Sequence, residues 1–373
     1  MMIFGICITL LYLIAIGFFV YGFDKIKLFH LNDLPSKTKF SIVIPFRNEA
    51  EHLPKLLQSL QALEYPNHFF EVILLDDASE DHSAEIINNF MVDSNLTFKI
   101  LPNTRQTGSP KKDAISLGIK NSNYDWIITT DADCVLPKYW LNSYDEFIQQ
   151  RDASCIAAPV SYIQEGTFLK QFQLLNHLSL QGATIGGFGI NKPFMSNGAN
   201  FAYRKALFNE LKGFKGNDNI ASGDDIFLLA KMVKANNKQV QYLKCNHAIV
   251  STTGQPTWGR LVSQHVRWAS KTKAYNSFGK AMGSIVFFMN TYITLAFLLL
   301  LTTSIDLKIF AYILFIKFNI DFLIIFKSAR FFNQQRVLKT YPLGFLIYPF
   351  FSAFIALKSL FFGYAWKGRT FKN

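Results

Sequence analysis

Four short clusters carry side chains whose types and spacing can do chemistry. The first is Thr130-Asp131-Ala132-Asp133. Two carboxylates one residue apart point the same way if the chain stays extended. Together Asp131 and Asp133 can hold a divalent cation; Mg2+ and Mn2+ prefer such oxygen ligands and share them with substrate phosphates. Taken alone, the pair is equally an acidic turn after a strand. The second cluster is Asp76-Asp77-Ala78-Ser79-Glu80-Asp81. A carboxylate here can accept hydrogen bonds from a base or ribose, or Ser79 or Asp81 can cap a helix. The two uses coexist, because helix starts attract anions. Nearby, Ser109 to Asp113 offers Lys111 and Lys112 to a phosphate, or to solvent.

The third cluster, Ser222-Gly223-Asp224-Asp225, precedes an apolar helical stretch, Ile226 to Val233. A carboxylate placed there can take the proton from an attacking hydroxyl; Asp224 can also serve only as a helix cap. The fourth is Gln264-His265-Val266-Arg267-Trp268. Arg267 can grip a diphosphate with two parallel hydrogen bonds, and Trp268 can stack on a sugar. The competing use is an amphipathic helix lying on a membrane.

The elements that must position these clusters alternate. Phe40 to Pro45, Glu71 to Leu75 and Trp126 to Thr130 are short apolar runs with the pattern of buried strands. Lys99 to Leu101 is a weaker one. Between them, Asn48 to Leu63, Ser83 to Phe90 and Asp113 to Lys120 carry helical spacing. This alternation predicts an α/β fold with a mostly parallel sheet. Such sheets bind ligands beyond the C-terminal ends of their strands, and Asp76-Asp77 and Asp131 both fall at such ends.

Residues 1–23 form an uncharged apolar anchor followed by Asp24, Lys25 and Lys27. No basic region precedes it and no small-residue cleavage site follows it, so it reads as a membrane segment and not as a secretory signal. The positive-inside rule puts its C-terminal end in the cytoplasm. Residues 37–280 read as the α/β domain. Residues 281–373 turn apolar again, with two or three segments long enough to approach the ~20 residues a bilayer needs. Ile309 to Phe326 is apolar but carries Lys317, Asn319 and Asp321, and whether Tyr341 to Phe362 crosses is open. The reading is an integral protein of the cell (inner) membrane with a cytoplasmic domain. The net charge of +12 is scattered and flanks apolar segments, which favours a membrane surface over nucleic acid as partner. The four cysteines and seven histidines show no zinc-ligand spacing.

Taken in order, these residues resemble the family-2 glycosyltransferases of the GT-A fold. SIVIPFRNE looks like that family's first strand and turn, and LLDDASEDHS its Asp-Asp-Gly-Ser motif with Ala78 in place of Gly. TTDADC is similar to its Asp-x-Asp, SNGANFAYRK to its acceptor-side segment, and SGDDIFLL to its Glu-Asp with Asp224 replacing Glu. QHVRW matches its Gln-x-x-Arg-Trp, found in polysaccharide synthases and in ceramide and carotenoid-acid glycosyltransferases. The resemblance covers residues 40–270 and implies a nucleotide-sugar donor, with UDP favoured over GDP, and Mg2+ or Mn2+. It implies that Pro45, Arg47, Glu49, Asp76 and Asp77 line the base and ribose pocket. Asp131 and Asp133 would bind diphosphate and metal, Asp225 would be the catalytic base, and Gln264, Arg267 and Trp268 would hold the diphosphate and the acceptor end. Lys112 is assigned to a phosphate.

A lipid or lipid-linked acceptor is favoured because the apolar segments are few for a polymer-conducting bundle. The stretch from Phe168 to Phe194, rich in glycine, reads as a mobile interfacial loop that admits it. The alternatives are a processive polysaccharide synthase, an inactive scaffold, which should lack the acidic residues, and a nucleotidyltransferase, which should show a Gly-rich basic loop where PFRNEAEH stands.

Overall fold

The computed structural model describes residues 2–163, 166–218, 220, 222–270, 275–302, 306–361, 364–366 and 369–371; the basic tail after Trp366 falls partly outside them. The chain opens with α1 (Met2–Lys25), β1 (Phe40–Phe46), α2 (Leu53–Gln61), β2 (Phe70–Asp76), α3 (Ser83–Val92) and β3 (Phe98–Pro102). There follow α4 (Pro110–Lys120), β4 (Trp126–Thr129), β5 (Cys134–Val135), α5 (Trp140–Gln150), β6 (Cys155–Ala157), β7 (Val160–Tyr162) and α6 (Phe168–Gly189). Then come β8 (Phe201–Arg204), α7 (Lys205–Glu210), α8 (Asp224–Asn236), β9 (Val240–Tyr242), β10 (Val250–Thr252) and α9 (Trp258–Ala269). The chain ends with α10 (Ser277–Leu301), α11 (Leu307–Phe331), α12 (Tyr341–Phe361), β11 (Tyr364–Trp366) and β12 (Arg369–Phe371).

Contacts divide the chain into a sheet unit, residues 27–163 and 195–253, and a helical unit, residues 1–26, 164–194 and 254–373. Residues 164–194 and 254–280, read from sequence as part of one α/β stretch, thus group with the terminal helices.

In the sheet unit, seven strands lie in the order β3-β2-β1-β4-β8-β6-β9. The first four are parallel, with Phe46 opposite Asp76 and Val43 opposite Thr129. Strands β1 and β2 are buried along nearly their whole length, the mark of strands covered on both faces. Helix α2 shows why: Leu53, Leu56, Leu57 and Leu60, at helical spacing, are all fully buried against the sheet core. The chain steps from β1 outward to β2 and β3, then returns to the other side of β1 as β4. That reversal opens a crevice between the C-terminal ends of β1 and β4.

In the helical unit, α1, α10, α11 and the segment Gln335–Ser359 containing most of α12 are long and apolar enough to cross a membrane. Thr9 meets Met289, and Phe19 meets Phe278, so α10 runs antiparallel to α1. Tyr12 bonds to Asp321 and Asp24 pairs with Lys327, so α11 runs the same way as α1. The basic ends Lys25 and Lys327 therefore gather at one end.

Phe168 to Gly189 corrects the sequence reading: it is a 22-residue helix, α6, and not a loop. Its glycines mark the contact with α1. A Cβ on Gly186 would collide with the backbone of Phe19, and one on Gly189 with the carbonyl of Gly22. Small residues that let helix backbones touch are how apolar helices associate where no hydrophobic gain separates them from lipid. In a soluble helix the same glycines would lower helix propensity, which is why they read as a loop.

Candidate active site

At the crevice, the loop after β1 is zipped to the loop after β2. Arg47 donates from Nη1 to the carbonyls of Asp77 and Ala78, at 2.7 and 2.5 Å, and from Nη2 to Glu80 at 2.8 Å. The amide of Asn48 donates to Ser79 Oγ, that of Glu49 to Ser83 Oγ, and that of Ala50 to Asp81 Oδ2. Asp76 Oδ1 accepts from both the amide and the hydroxyl of Ser79, at 2.9 and 2.7 Å. Asp77, 7% exposed, accepts from Asn103 Nδ2 at 2.9 Å and from Arg105 Nε at 2.6 Å. Pro45 lies on β1 opposite Leu75. Pro45, Arg47, Glu49, Asp76 and Asp77 thus share one corner of the crevice. Asn103 and Arg105 join them unannounced; their signal was only their place just past the weak strand β3.

Across the crevice, β4 ends at Thr129, and Asp131 and Asp133 follow, both half-buried. Lys111, in the first turn of α4, places its ammonium 2.7 Å from Asp131 Oδ1 and 3.1 Å from Asp224 Oδ2. Burial would favour the neutral amine, but the charges of Asp131, Asp224 and Asp225 outweigh it and raise the lysine pKa. Asp225, in the first turn of α8, accepts from the amide of Gly198 at 3.1 Å through Oδ2 and from the amide of Ile226 at 2.7 Å through Oδ1. Burial, then the charges of Asp133 and Asp131, push the Cys134 thiol well up, so it is inert and reports an anionic surrounding.

One expectation is redrawn by this geometry, and the acceptor-side segment gains a structural detail. Lys112, expected at a phosphate, is 2% exposed and donates to the carbonyls of Asn217 and Ile220, at 2.6 and 2.8 Å. Adjacent helix positions face different ways, so Lys111 faces the carboxylates and Lys112 the interior. Asn200, in the segment resembling an acceptor-side motif, is fully buried. Its Oδ1 accepts from Trp140 and Tyr144, and its Nδ2 donates to the carbonyls of Pro159 and Ala248. It is a strut of the core.

Gln264, Arg267 and Trp268 lie on α9 in the helical unit. There Phe172, Leu261, Val266, Phe351 and Ile355 form a small apolar core. Trp268 packs on His265, whose ring also meets Phe351; burial lowers the His265 pKa to about 4.

Among the described residues no three His, Cys, Asp or Glu side chains form a closed metal cage. The residues nonetheless suit Mg2+ or Mn2+. These ions bind through one or two carboxylates and take their remaining ligands from water and substrate phosphates. Asp131 and Asp133 would supply the carboxylates, and Asp131 already pairs with a cationic group, the Lys111 ammonium.

Residues 41–212 match the model of glycosyl transferase family 2. A probable glycosyltransferase of Bacillus subtilis, YdaM, is 25% identical over 246 residues, covering 64% of this chain and 56% of its own length. An undecaprenyl-phosphate 4-deoxy-4-formamido-L-arabinose transferase of Pseudomonas savastanoi is 40% identical over 105 residues, covering 28% of this chain and 31% of its own length. Both matches thus span well under two thirds of those relatives. Among solved structures, a mannosyltransferase of Pyrobaculum calidifontis, in complex with GDP-Man and Mn2+, superposes with a TM-score of 0.57. It is 15% identical, with 96% of this chain and 99% of that one covered, a likeness of fold.

Proposed function

We propose, from the premise that residues 41–212 are a glycosyl transferase family 2 domain of GT-A fold, that this chain transfers one sugar from a nucleotide-diphosphate sugar to a lipid or lipid-linked acceptor. The observation that carries the reading is the gathering of Asp131, Asp224 and Asp225 around Lys111, at the edge where β1 and β4 part.

Asp225 takes the proton of the acceptor hydroxyl as that oxygen bonds to the anomeric carbon. The bond from that carbon to the diphosphate oxygen breaks, the nucleoside diphosphate leaves from the opposite face, and configuration inverts. The amide of Gly198 holds the Asp225 carboxylate in its orientation. A divalent cation held by Asp131 and Asp133 would supply charge stabilisation of the departing diphosphate. Pro45, Arg47, Glu49, Asp76 and Asp77 are assigned to base and ribose. Gln264, Arg267 and Trp268 are assigned to the diphosphate and the acceptor end.

Among the described residues, four helices apolar enough to cross a membrane support a lipid acceptor, as does the relative named for undecaprenyl phosphate. The gathering of Lys25 and Lys327 at one helix end supports a cytoplasmic placement of that end in a cell membrane.

The test is transfer of radiolabelled sugar, from a panel of UDP- and GDP-sugars, into the lipids of membranes holding the protein. One labelled lipid is expected, abolished by EDTA and reduced at least about 100-fold by Asp225→Asn in a variant of unchanged thermal stability. Label only in insoluble polymer would replace this reading with a processive synthase. Absence of both transfer and nucleotide binding would overturn it.

A further inference from the structure

The Lys111 ammonium occupies the place where a metal's charge would act. It touches Asp131, the first member of the Asp131–Asp133 pair, and Asp224, the neighbour of the assigned base Asp225. A metal ion bound to Asp131 and an ammonium on the same carboxylate would lie within a few ångströms of each other and repel. Room for both is short on the inner side. The backbone at residue 198 presses on the pair: a Cβ on Gly198 would stand 2.7 Å from Asp224 Oδ2 and 3.5 Å from the Lys111 ammonium.

The helix itself is fixed, because the next residue, Lys112, is anchored on the carbonyls of Asn217 and Ile220. The Lys111 side chain is 22% exposed. That exposure leaves the side chain, and not the helix, free to move toward a bound anion.

We propose that Lys111 is a resident counter-cation that keeps divalent metal off Asp131 until a nucleoside diphosphate draws its ammonium away, so that metal and donor bind cooperatively. Metal alone then binds weakly, because it must displace an ammonium already paired with Asp131 and Asp224. With a diphosphate present, the ammonium exchanges a carboxylate for a phosphate, and the vacated carboxylate takes the metal. Two cations that compete in the empty crevice become compatible in the filled one. This inference rests on the donor chemistry assigned above.

The experiment is Mn2+ titration of the full-length protein in detergent, followed by the free-ion electron paramagnetic resonance signal, without nucleotide and with saturating UDP or GDP. The wild type should bind Mn2+ at least about tenfold more tightly with nucleotide. Lys111→Met should bind Mn2+ without nucleotide about tenfold more tightly than wild type, and should lose most of the nucleotide enhancement. Lys111→Arg, which keeps the charge, should stay close to wild type and guards against a folding artefact. If Lys111→Met binds donor-free Mn2+ no better than wild type while nucleotide still binds, the counter-cation role is overturned and the donor reading stands. Failure of both Mn2+ and nucleotides to bind the wild type overturns both.

Discussion

Two of the described lysines, Lys317 and Lys111, meet carboxylates in ways that separate a strut from a site. Lys317, in the middle of α11, is 1% exposed and pairs with Asp321 one helical turn on. Asp321 also accepts from the Tyr12 hydroxyl at 2.6 Å, and the rings of Tyr12, Phe345 and Tyr348 stand 5.3, 5.0 and 5.9 Å from the ammonium. One cation meets one anion, and aromatic faces close the rest. Lys111 is 22% exposed and faces three carboxylates. One ammonium among three carboxylates leaves its surroundings anionic and open. A balanced, sealed pair holds helices in register; an unbalanced, open one invites a second cation.

The largest effect should come from breaking the sealed pair. Lys317→Met leaves the part-buried Asp321 carboxylate, 14% exposed, without its cation, at a cost of up to about 3–5 kcal/mol. Thermal denaturation in detergent should show this as a large fall in midpoint. Lys317→Met combined with Asp321→Leu should recover most of the loss, because a charge-free packing of similar volume avoids the desolvation cost. A single variant as stable as wild type would mean that the pair is not sealed, and the comparison with Lys111 would fail.

A middle-sized effect is expected at Lys112. Lys112→Met leaves the carbonyls of Asn217 and Ile220 without their donor. Both acceptors are only partly buried, so each so stranded costs at most about 1–3 kcal/mol. The same change at Lys111 should cost no more than about 1 kcal/mol, since that group is partly exposed and screened. Equal losses at the two neighbours, measured by the same denaturation, would overturn the contrast between an inward Lys112 and an outward Lys111.

The sequence carried the elements whose signal is local. Strands β1, β2 and β4 are continuous apolar runs, and the aspartates after them mark their C-terminal ends without any tertiary information. Order and spacing of the motifs then pointed to the crevice. What was not legible depended on partners far along the chain. The choice between Lys111 and Lys112 rests on the angular position of α4 over the sheet, which no short-range pattern sets. Within the segment resembling the acceptor-side motif, Trp140, Tyr144, Pro159 and Ala248 take up the hydrogen bonds of Asn200. Lys317 and Asp321 read as interruptions of a membrane segment, though their four-residue spacing lets them neutralise each other on one helix face. The glycines of α6 read as loop because their value appears only where another helix backbone touches them.

The smallest effect tests the backbone under the open site. Ala78 stands at φ 57°, in the left-handed region, where the resembled motif has glycine. A side chain there costs roughly 1–2 kcal/mol. The conformation is held by Arg47, which grips the Ala78 carbonyl, and by Asp76, which takes the amide and hydroxyl of Ser79. Ala78→Gly removes the strain but gives the unfolded chain more freedom, an offset of roughly 0.4–1 kcal/mol. The net should be a gain of at most about 1 kcal/mol, read as a small rise in the denaturation midpoint. Strain at this loop is also a lever on ligand binding, because relaxing it removes a constraint on the groups around Asp77. UDP or GDP affinity should therefore fall slightly or stay level while stability rises. A fall in stability would show that the loop's hydrogen bonds, and not the missing glycine, decide its energy. The open site would then be as firmly built as the sealed pair at Lys317.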